Sequence, residues 1–272
     1  MRTTLAAVCW LAIAPAFALS QNFEAATIKT LPEGAPGGGI GGGPGTRDPE
    51  LFRCRGCSLG LLLRTAFHAE TFQLSVAGGT GSERFEISAK IPPGATQQQF
   101  EAILQNFLVD RFKIQLHREQ REMPMFEMTV AKSGAKLVES SQEEIPPPAA
   151  RVTGVDKNGY PLVPLGCQGC RQEIDGKGRF HSAKTTMPKL AEILTHRLER
   201  FVIDKTGLNG VYDIDVTYFV GRADADGEPV ADDVGSSFEK ALQVQLGLKL
   251  DAKKAPVEMI VIDHLERTPI GN

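Results

Sequence analysis

The hydrophobic positions of this chain follow one pattern twice. The string FEAILQNFL at 100–108 recurs as FEKALQVQL at 238–246, and both copies carry apolar residues at the spacing of one helix face. An aromatic-acid-isoleucine triplet precedes each copy, and a proline-led apolar strand follows it. Two copies of one folding unit account for most of the apolar pattern as core. We therefore predict an internal repeat that leaves few residues free for an active site.

Alternating and helical spacings predict the order βαββαββ in each copy. Short polar side chains cap helix N-termini. The candidate caps are Ser58 and Thr96 in the first copy, and Thr185 or Thr186 and Ser236 or Ser237 in the second. The last two strands of each copy are predicted to form a hairpin with a charged turn. The predicted fold class is α+β, with two pseudo-repeated units that each pack two helices on small sheets.

Composition changes predict the domain limits. The predicted segments are a signal peptide at 1–18, a strand and Gly-rich linker at 19–50, a first unit at 51–138, a Pro-rich acidic linker at 139–178, a second unit at 179–267 and a tail at 268–272. The glycines of 34–45 resemble a phosphate-binding loop only in composition, because no Lys-Ser/Thr follows them. We interpret this stretch as a flexible linker without regular structure.

The N-terminus has the features of a secretory signal. Arg2 supplies a positive charge, an apolar run follows from Leu5 to Ala14, and Ala16-Phe17-Ala18 fits a cleavage site. The alternative is a retained membrane anchor, but the apolar run is shorter than the ~20 residues that span a bilayer. We predict an exported protein, periplasmic or extracellular, with no transmembrane segment after signal cleavage.

The net charge argues against a nucleic-acid partner. The chain carries a formal charge of −3 at neutral pH, and removal of Arg2 with the signal makes the mature chain more acidic by one charge. Binding of nucleic acid requires a basic surface that attracts phosphates. We therefore expect no nucleic acid among the partners, and an envelope protein is the partner that we consider.

Four cysteines remain after the signal, as Cys54-x-x-Cys57 and Cys167-x-x-Cys170. A four-thiolate zinc site usually has about 15–20 residues between its pairs, far fewer than here. Disulfides are favoured in an oxidising compartment. A metal site and a redox-active CxxC are the alternatives, and the latter is weak because neither motif clearly opens a helix. The spacing leaves the pairing of the four cysteines open.

The pattern contains no catalytic, metal or cofactor motif. The five histidines form no H-x-x-x-H or H-x-H pair, and the G-x-S-x-G nucleophile motif is absent from the sequence. The weak acid/base candidate is Asp263 with His264. The charged turns of the two predicted hairpins are candidate docking surfaces. Their residues are His117, Arg118 and Arg121 in the first turn and Lys249, Lys253 and Lys254 in the second.

Two long blocks resemble a known family. They are RFEISAKIP followed by LVDRFKIQLHREQREMPMFEMTVAKSGAKL, and MPKLAEILTHRLERFVIDKTGLNGVYDIDVTY followed by FEKALQVQLGLKLDAKKAPVEMIVIDHLERTP. They resemble the signatures of uncharacterised exported proteins of soil acidobacteria. The domain of that family is also fused to membrane metallopeptidases of the beta-lactam-sensor type, which implies sensing or docking outside the cytoplasm. This chain has no H-E-x-x-H and no set of spanning helices.

The second copy also resembles, more weakly, the short N-terminal domain of secretins and TonB-dependent transducers, which implies protein binding. This likeness concerns fold and argues little about function. We expect a non-catalytic binding, docking or sensing module of the cell envelope. The competing classes are a secreted hydrolase-like enzyme with a site between the two units, and metal storage through the four thiols.

Overall fold

A computed structural model of the protein describes residues 22–141, 154–164, 166–174, 176–220 and 237–271. The predicted signal peptide, the proline run at 146–148 and the acidic loop at 221–235 lie outside these residues. None of the helices in the described ranges combines the length and apolar character that a membrane span requires.

The helices and strands confirm the predicted α+β class. The strands are β1 (Ala25–Thr30), β2 (Ile40–Gly42), β3 (Leu51–Ser58), β4 (Leu74–Val76), β5 (Arg84–Lys90), β6 (Gln115–Val130), β7 (Val138–Glu139), β8 (Cys170–Ile174), β9 (Lys177–Thr186), β10 (Val202–Asp204), β11 (Val211–Phe219) and β12 (Leu248–His264). The helices are α1 (Leu59–Phe67), α2 (Gln97–Phe112), α3 (Met187–Leu198) and α4 (Phe238–Ala241), the last of which continues as a π-helical turn, Leu242–Leu246.

The predicted repeat recurs in the order of the elements. The series β3-α1-β4-β5-α2-β6 matches β9-α3-β10-β11-α4-β12. β3 and β5 of the first copy lie in an antiparallel sheet of the order β1-β5-β3-β2. β9 and β11 of the second copy lie in an antiparallel sheet of the order β7-β11-β9-β8. The repeated string supplies buried side chains in both copies, as predicted. These are Phe100, Leu104 and Leu108 in α2, and Phe238, Leu242 and Leu246 in the second copy.

Side-chain caps begin the helices where the sequence predicts them. Ser58 Oγ accepts a hydrogen bond from Leu61 N at 3.2 Å, and Thr96 forms a reciprocal capping box with Gln99. In the second copy the caps are Thr186 and Ser237. The structure therefore selects Thr186 over Thr185 and Ser237 over Ser236, which the sequence left open.

The predicted hairpins at the end of each copy are wrong. β6 and β12 are single strands of 16 and 17 residues. The charged runs 117–122 and 249–254 lie inside them in extended conformation. Neither run contains the Gly or Asn that a tight hairpin turn requires at positive φ, so nothing in them interrupts a strand.

Both long strands contribute to two compact units. Unit 1 comprises the described residues up to Arg118 and from Ile260, and unit 2 comprises Glu119–Met259. In unit 1, β12 pairs in parallel with β4 at Ile260↔Leu74; in unit 2, β10 pairs in parallel with β6 at Val202↔Phe126. Part of β6, the last strand of the first repeat, therefore belongs to unit 2, and part of β12, the last strand of the second repeat, belongs to unit 1. The predicted limits 51–138 and 179–267 follow the repeats instead.

The Gly-rich segment contains a strand, contrary to the prediction that it lacks regular structure. β2 pairs with β3 at Gly41↔Arg53. A Cβ on Gly38 would overlap the carbonyl oxygen of Arg55, and Gly38 N donates to Gly56 O at 3.0 Å. Part of the glycine content is therefore explained by close approach of two backbones.

Candidate functional site

The six predicted docking residues lie on the long strands, where neighbouring charges bind several of them. His117 Nδ1 lies 2.8 Å from Asp263 Oδ2 in unit 1, and Arg121 pairs with Glu119. In unit 2, Lys249 pairs with Asp251, and hydrogen bonds from Lys249 and Thr129 lower the pKa of that carboxyl. Arg118, Lys253 and Lys254 are exposed. Their docking role stays a prediction.

The structure separates the predicted acid/base pair. Asp263 and His264 are adjacent in β12, and adjacent strand residues point to opposite faces of a sheet. The imidazole beside Asp263 belongs to His117, and both side chains are about half exposed, 48% and 50%. The acid/base role of Asp263 with His264 stays a prediction.

A groove in unit 1 lies between α1 and β4, and we call it the α1–β4 groove. Its volume is about 440 Å³. Leu61 from α1 and Leu74 and Val76 from β4 form its apolar wall. The polar lining consists of Ser58, Arg64, Thr71 and Thr80.

The local sequence explains this lining. Leu61 and Arg64 are three residues apart and share one face of α1, and Leu74 and Val76 point the same way because a strand alternates. Ser58 is occupied as the helix cap. The described lining residues carry no carboxylate, thiol or imidazole, so the groove has the chemistry of a binding surface.

Arg64 is the unusual group of this groove. Its Nε is buried and has no hydrogen-bond partner among the described residues. Desolvation of a polar donor without a partner costs about 1–3 kcal/mol, and more for a charged group. A ligand that accepts a hydrogen bond there would remove that cost.

A second cleft in unit 1, of about 430 Å³, is less suited to a ligand. Arg111 in its lining donates from Nη1 to Ile270 O at 3.1 Å and lies over the Phe107 ring at 5.5 Å. Glu24, also in the lining, pairs with Lys90 at 2.6 Å and raises the pKa of that lysine. Two charged groups of this cleft, Arg111 and Glu24, therefore already have partners within the protein.

The four cysteines form disulfides within each motif, Cys54–Cys57 and Cys167–Cys170, with Cα–Cα distances of 5.8 and 6.0 Å. The first pair lies in β3 and is fully buried in the core of unit 1. The second is half-buried at the start of β8 in unit 2. In the described part of the chain, no group of three His, Cys, Asp or Glu residues is placed to hold a metal.

A polar cluster covers one face of the sheet in unit 2, and Arg179 lies at its centre. The guanidinium donates from Nε to Asp215 Oδ1 at 2.9 Å and from Nη1 to Asp156 Oδ2 at 2.6 Å. It also lies over the Tyr160 ring at 5.7 Å. His181 Nδ1 is 3.6 Å from Asp215 Oδ2.

The cluster perturbs the ionisation of its members. Burial opposes ionisation of Asp215, but contacts with His181 and Arg179 outweigh burial and lower its pKa to about 2. Hydrogen bonding to Asp215 raises the pKa of Arg179. Burial raises the pKa of Tyr160. Asp215 therefore keeps its negative charge at neutral pH.

No sequence pattern singles out the residues of the α1–β4 groove or of the Arg179 cluster. Arg64 lies in a predicted helix, and Arg179 and Asp215 lie on the polar side of predicted strands, where charges are ordinary. His181 is one of the five histidines and belongs to no histidine motif. The partners of Arg179 come from distant parts of the chain, so local spacing carries no signal for them.

No curated protein and no solved structure matches this chain. A family model matches residues 60–265, which include most of both repeats. Apart from β3 and the first residue of α1, both series of elements and the buried repeated strings fall within this match. The chain therefore belongs to the family described as "Protein of unknown function (DUF3738)".

Proposed function

We propose that this protein is an exported docking module that binds an extended, acidic segment of an envelope protein in the α1–β4 groove. The observation that carries the proposal is the Nε of Arg64, which is buried beside an apolar wall and has no hydrogen-bond partner in the described parts of the chain. Arg presents a planar array of donors that fits a carboxylate, and pairing there relieves the desolvation cost. Leu61, Leu74 and Val76 would hold an apolar side chain next to that carboxylate.

The position of β4 favours an extended ligand. β4 is the terminal strand of its sheet and pairs with β12 on one side. A terminal strand offers backbone donors and acceptors to an added peptide strand, while pockets for alternate side chains supply specificity. The groove beside β4 therefore offers both the backbone groups of a terminal strand and a pocket for an apolar side chain.

Sequence features support the location and the class of role. Residues 1–18 have the pattern of a secretory signal. The resemblance to exported acidobacterial proteins, whose domain is also fused to membrane metallopeptidases, implies sensing or docking outside the cytoplasm. A docking role needs no catalytic group, and the groove lining offers an apolar wall and one cation.

Panning of displayed peptides against the mature protein tests the proposal. We expect enriched peptides that combine an apolar residue with Asp or Glu, and fluorescence polarisation should give their affinities. Arg64→Gln should weaken binding by roughly 10- to 100-fold, because a hydrogen bond to a charged group contributes about 1.5–3 kcal/mol.

Arg47→Gln is the matched control, since Arg47 is an exposed arginine of the same unit outside the groove lining. This variant should bind like the wild type. Equal loss in both variants, or enrichment of peptides without acidic residues, would contradict the proposal. Turnover of generic ester or peptide substrates by the wild type would favour the enzyme class instead.

A further inference from the structure

The two CxxC disulfides close loops of the same length in very different surroundings. Both join cysteines three residues apart, so the loop entropy of each contributes about 2 kcal/mol. Cys54 and Cys57 are 0% exposed, whereas Cys167 and Cys170 are half-buried at the start of a terminal strand. Only the second pair is open to a reagent from solution.

Three strands place a histidine and a carboxylate in line with Cys170. Cys170 lies opposite His181 across β8 and β9, and His181 lies opposite Asp215 across β9 and β11. Directly opposed residues of antiparallel strands point to the same face, with Cβ atoms about 4.5–5.5 Å apart. Cys170, His181 and Asp215 therefore form one row across the sheet.

The row places an imidazole and a carboxylate on the sheet face that carries Cys170. His181 Nδ1 is buried and lies 3.6 Å from Asp215 Oδ2, beyond hydrogen-bond distance. Asp215 accepts a hydrogen bond from Arg179 and keeps its negative charge, so a carboxylate faces the imidazole of His181. An imidazolium beside a cysteine stabilises the thiolate that forms when the disulfide opens.

Hydrogen bonds that do not involve sulfur hold the disulfide loop. Ala183 N donates to Cys167 O at 2.9 Å, and Gly169 N donates to Ser182 Oγ at 3.1 Å. Gln168 Nε2 donates to Lys184 O at 3.2 Å. Because these contacts do not require the S–S bond, we expect the loop to keep its position in the reduced form.

We propose that Cys167–Cys170 is a thiol–disulfide exchange site for exported dithiols, with His181 as its acid/base group and Asp215 as the charged neighbour of His181. This role goes beyond docking and does not depend on the α1–β4 groove. A structural disulfide would need neither partial exposure nor the row of His181 and Asp215.

The exchange takes place in two steps. A substrate thiolate attacks Cys167 Sγ, the S–S bond breaks, and the electron pair stays on Cys170 Sγ, which takes a proton from the His181 imidazolium. The second substrate thiol gives its proton to His181 and attacks the substrate sulfur of the mixed disulfide. Cys167 leaves with the electron pair and takes up that proton. Two substrate thiols become one disulfide, and an external disulfide reverses the reaction.

Timed exchange on the folded, mature protein tests this site. Dithiothreitol is the probe, the reaction is stopped with N-ethylmaleimide, and mass spectrometry reports each cysteine pair. Cys167–Cys170 should open at least about tenfold faster than Cys54–Cys57, because exchange depends on access and on leaving-group stabilisation. His181→Gln should slow the opening of Cys167–Cys170 by about tenfold.

Two variants separate chemistry from folding. His68→Asn changes a histidine whose side chain is 86% exposed in unit 1 and should leave the rate unchanged. His181→Ala should be slow, and added imidazole should restore part of the rate, which a purely structural role would not allow. Equal rates for both disulfides, or wild-type rates in His181→Gln with no imidazole effect in His181→Ala, would overturn the proposal.

Discussion

In each repeat, the strand that precedes the first helix contains a bulge. A disulfide bridges the bulge in unit 1, and a hydrogen bond between side chains bridges the bulge in unit 2. In β3 the pairing shifts between Arg55 and Cys57, and in β9 it shifts opposite Tyr212–Ile214. Gly56 and Lys184 have positive φ at these points, 62° and 46°. The disulfide Cys54–Cys57 bridges the first bulge, whereas a hydrogen bond of 2.7 Å between the hydroxyl groups of Ser182 and Thr185 bridges the second.

This difference shows that one backbone feature can be stabilised covalently or by a buried hydrogen bond. It also explains why the two CxxC motifs differ. Cys54–Cys57 stabilises its own bulge inside a core. Cys167–Cys170 lies on a separate loop that binds the bulge of unit 2 through Ser182 and Ala183, and it remains partly exposed. The two CxxC motifs therefore have the same spacing but lie in different environments.

Removal of the buried disulfide should have the largest effect. Cys54→Ala with Cys57→Ala should destabilise unit 1 by about 3–4 kcal/mol, because loop entropy and buried sulfur contacts are both lost. Cys167→Ala with Cys170→Ala should cost about 2 kcal/mol or less in unit 2. Hydrogen exchange on the folded protein would resolve the two units. Equal losses would contradict the distinction between the two environments.

Conversion of the hydroxyl pair into a disulfide should have the next largest effect. Ser182→Cys with Thr185→Cys, made in the Cys167→Ala and Cys170→Ala background, should form a disulfide and stabilise unit 2 by about 2 kcal/mol. Thiol titration reports formation, and thermal unfolding with and without reductant reports the gain. Free thiols at both positions in the oxidised protein would show that the two bulges differ in geometry.

Acidification should weaken unit 2 through Asp215. Its pKa is lowered to about 2 in the folded protein, from ~3.9 in an unfolded chain. The stabilisation is therefore fully present above about pH 4 and is lost as the pH falls through about 2.

The carboxylate is 43% exposed, so solvent screening reduces this contribution to about 1 kcal/mol. The free energy of unfolding of the wild type, minus that of Asp215→Asn, should shrink by this amount between pH 5 and 2. A difference that is constant over this range would contradict the assigned pKa.

Helix caps should show the smallest effect and no difference between the units. Ser58→Ala and Thr186→Ala each remove the cap of the helix that follows a bulge, and each should cost about 1 kcal/mol. Urea unfolding followed by circular dichroism, with hydrogen exchange to assign the unit, measures both. A cost several times larger at one cap would mean that its hydroxyl has a further role.

Local features were predictable where local spacing decides the structure. The repeated string, the caps at Ser58 and Thr96 and the alternating strands follow from periodicities and short side chains that act within one turn or one strand. The hairpins predicted at 117–122 and 249–254 do not form, because neither charged run contains the Gly or Asn that favours a tight turn. In a continuous strand, apolar residues on both sides of the charged run can be buried.

The sequence by itself determined the α+β class, the repeat and the presence of two CxxC pairs, because period and composition act along the chain. Only the tertiary structure decided which cysteines pair, which pair is exposed, and that His181 and Asp215 stand beside Cys170. It likewise decided that the Nε of Arg64 is buried beside a groove and has no hydrogen-bond partner among the described residues. These properties depend on strand register and packing between distant segments, which bring together residues that no local pattern links.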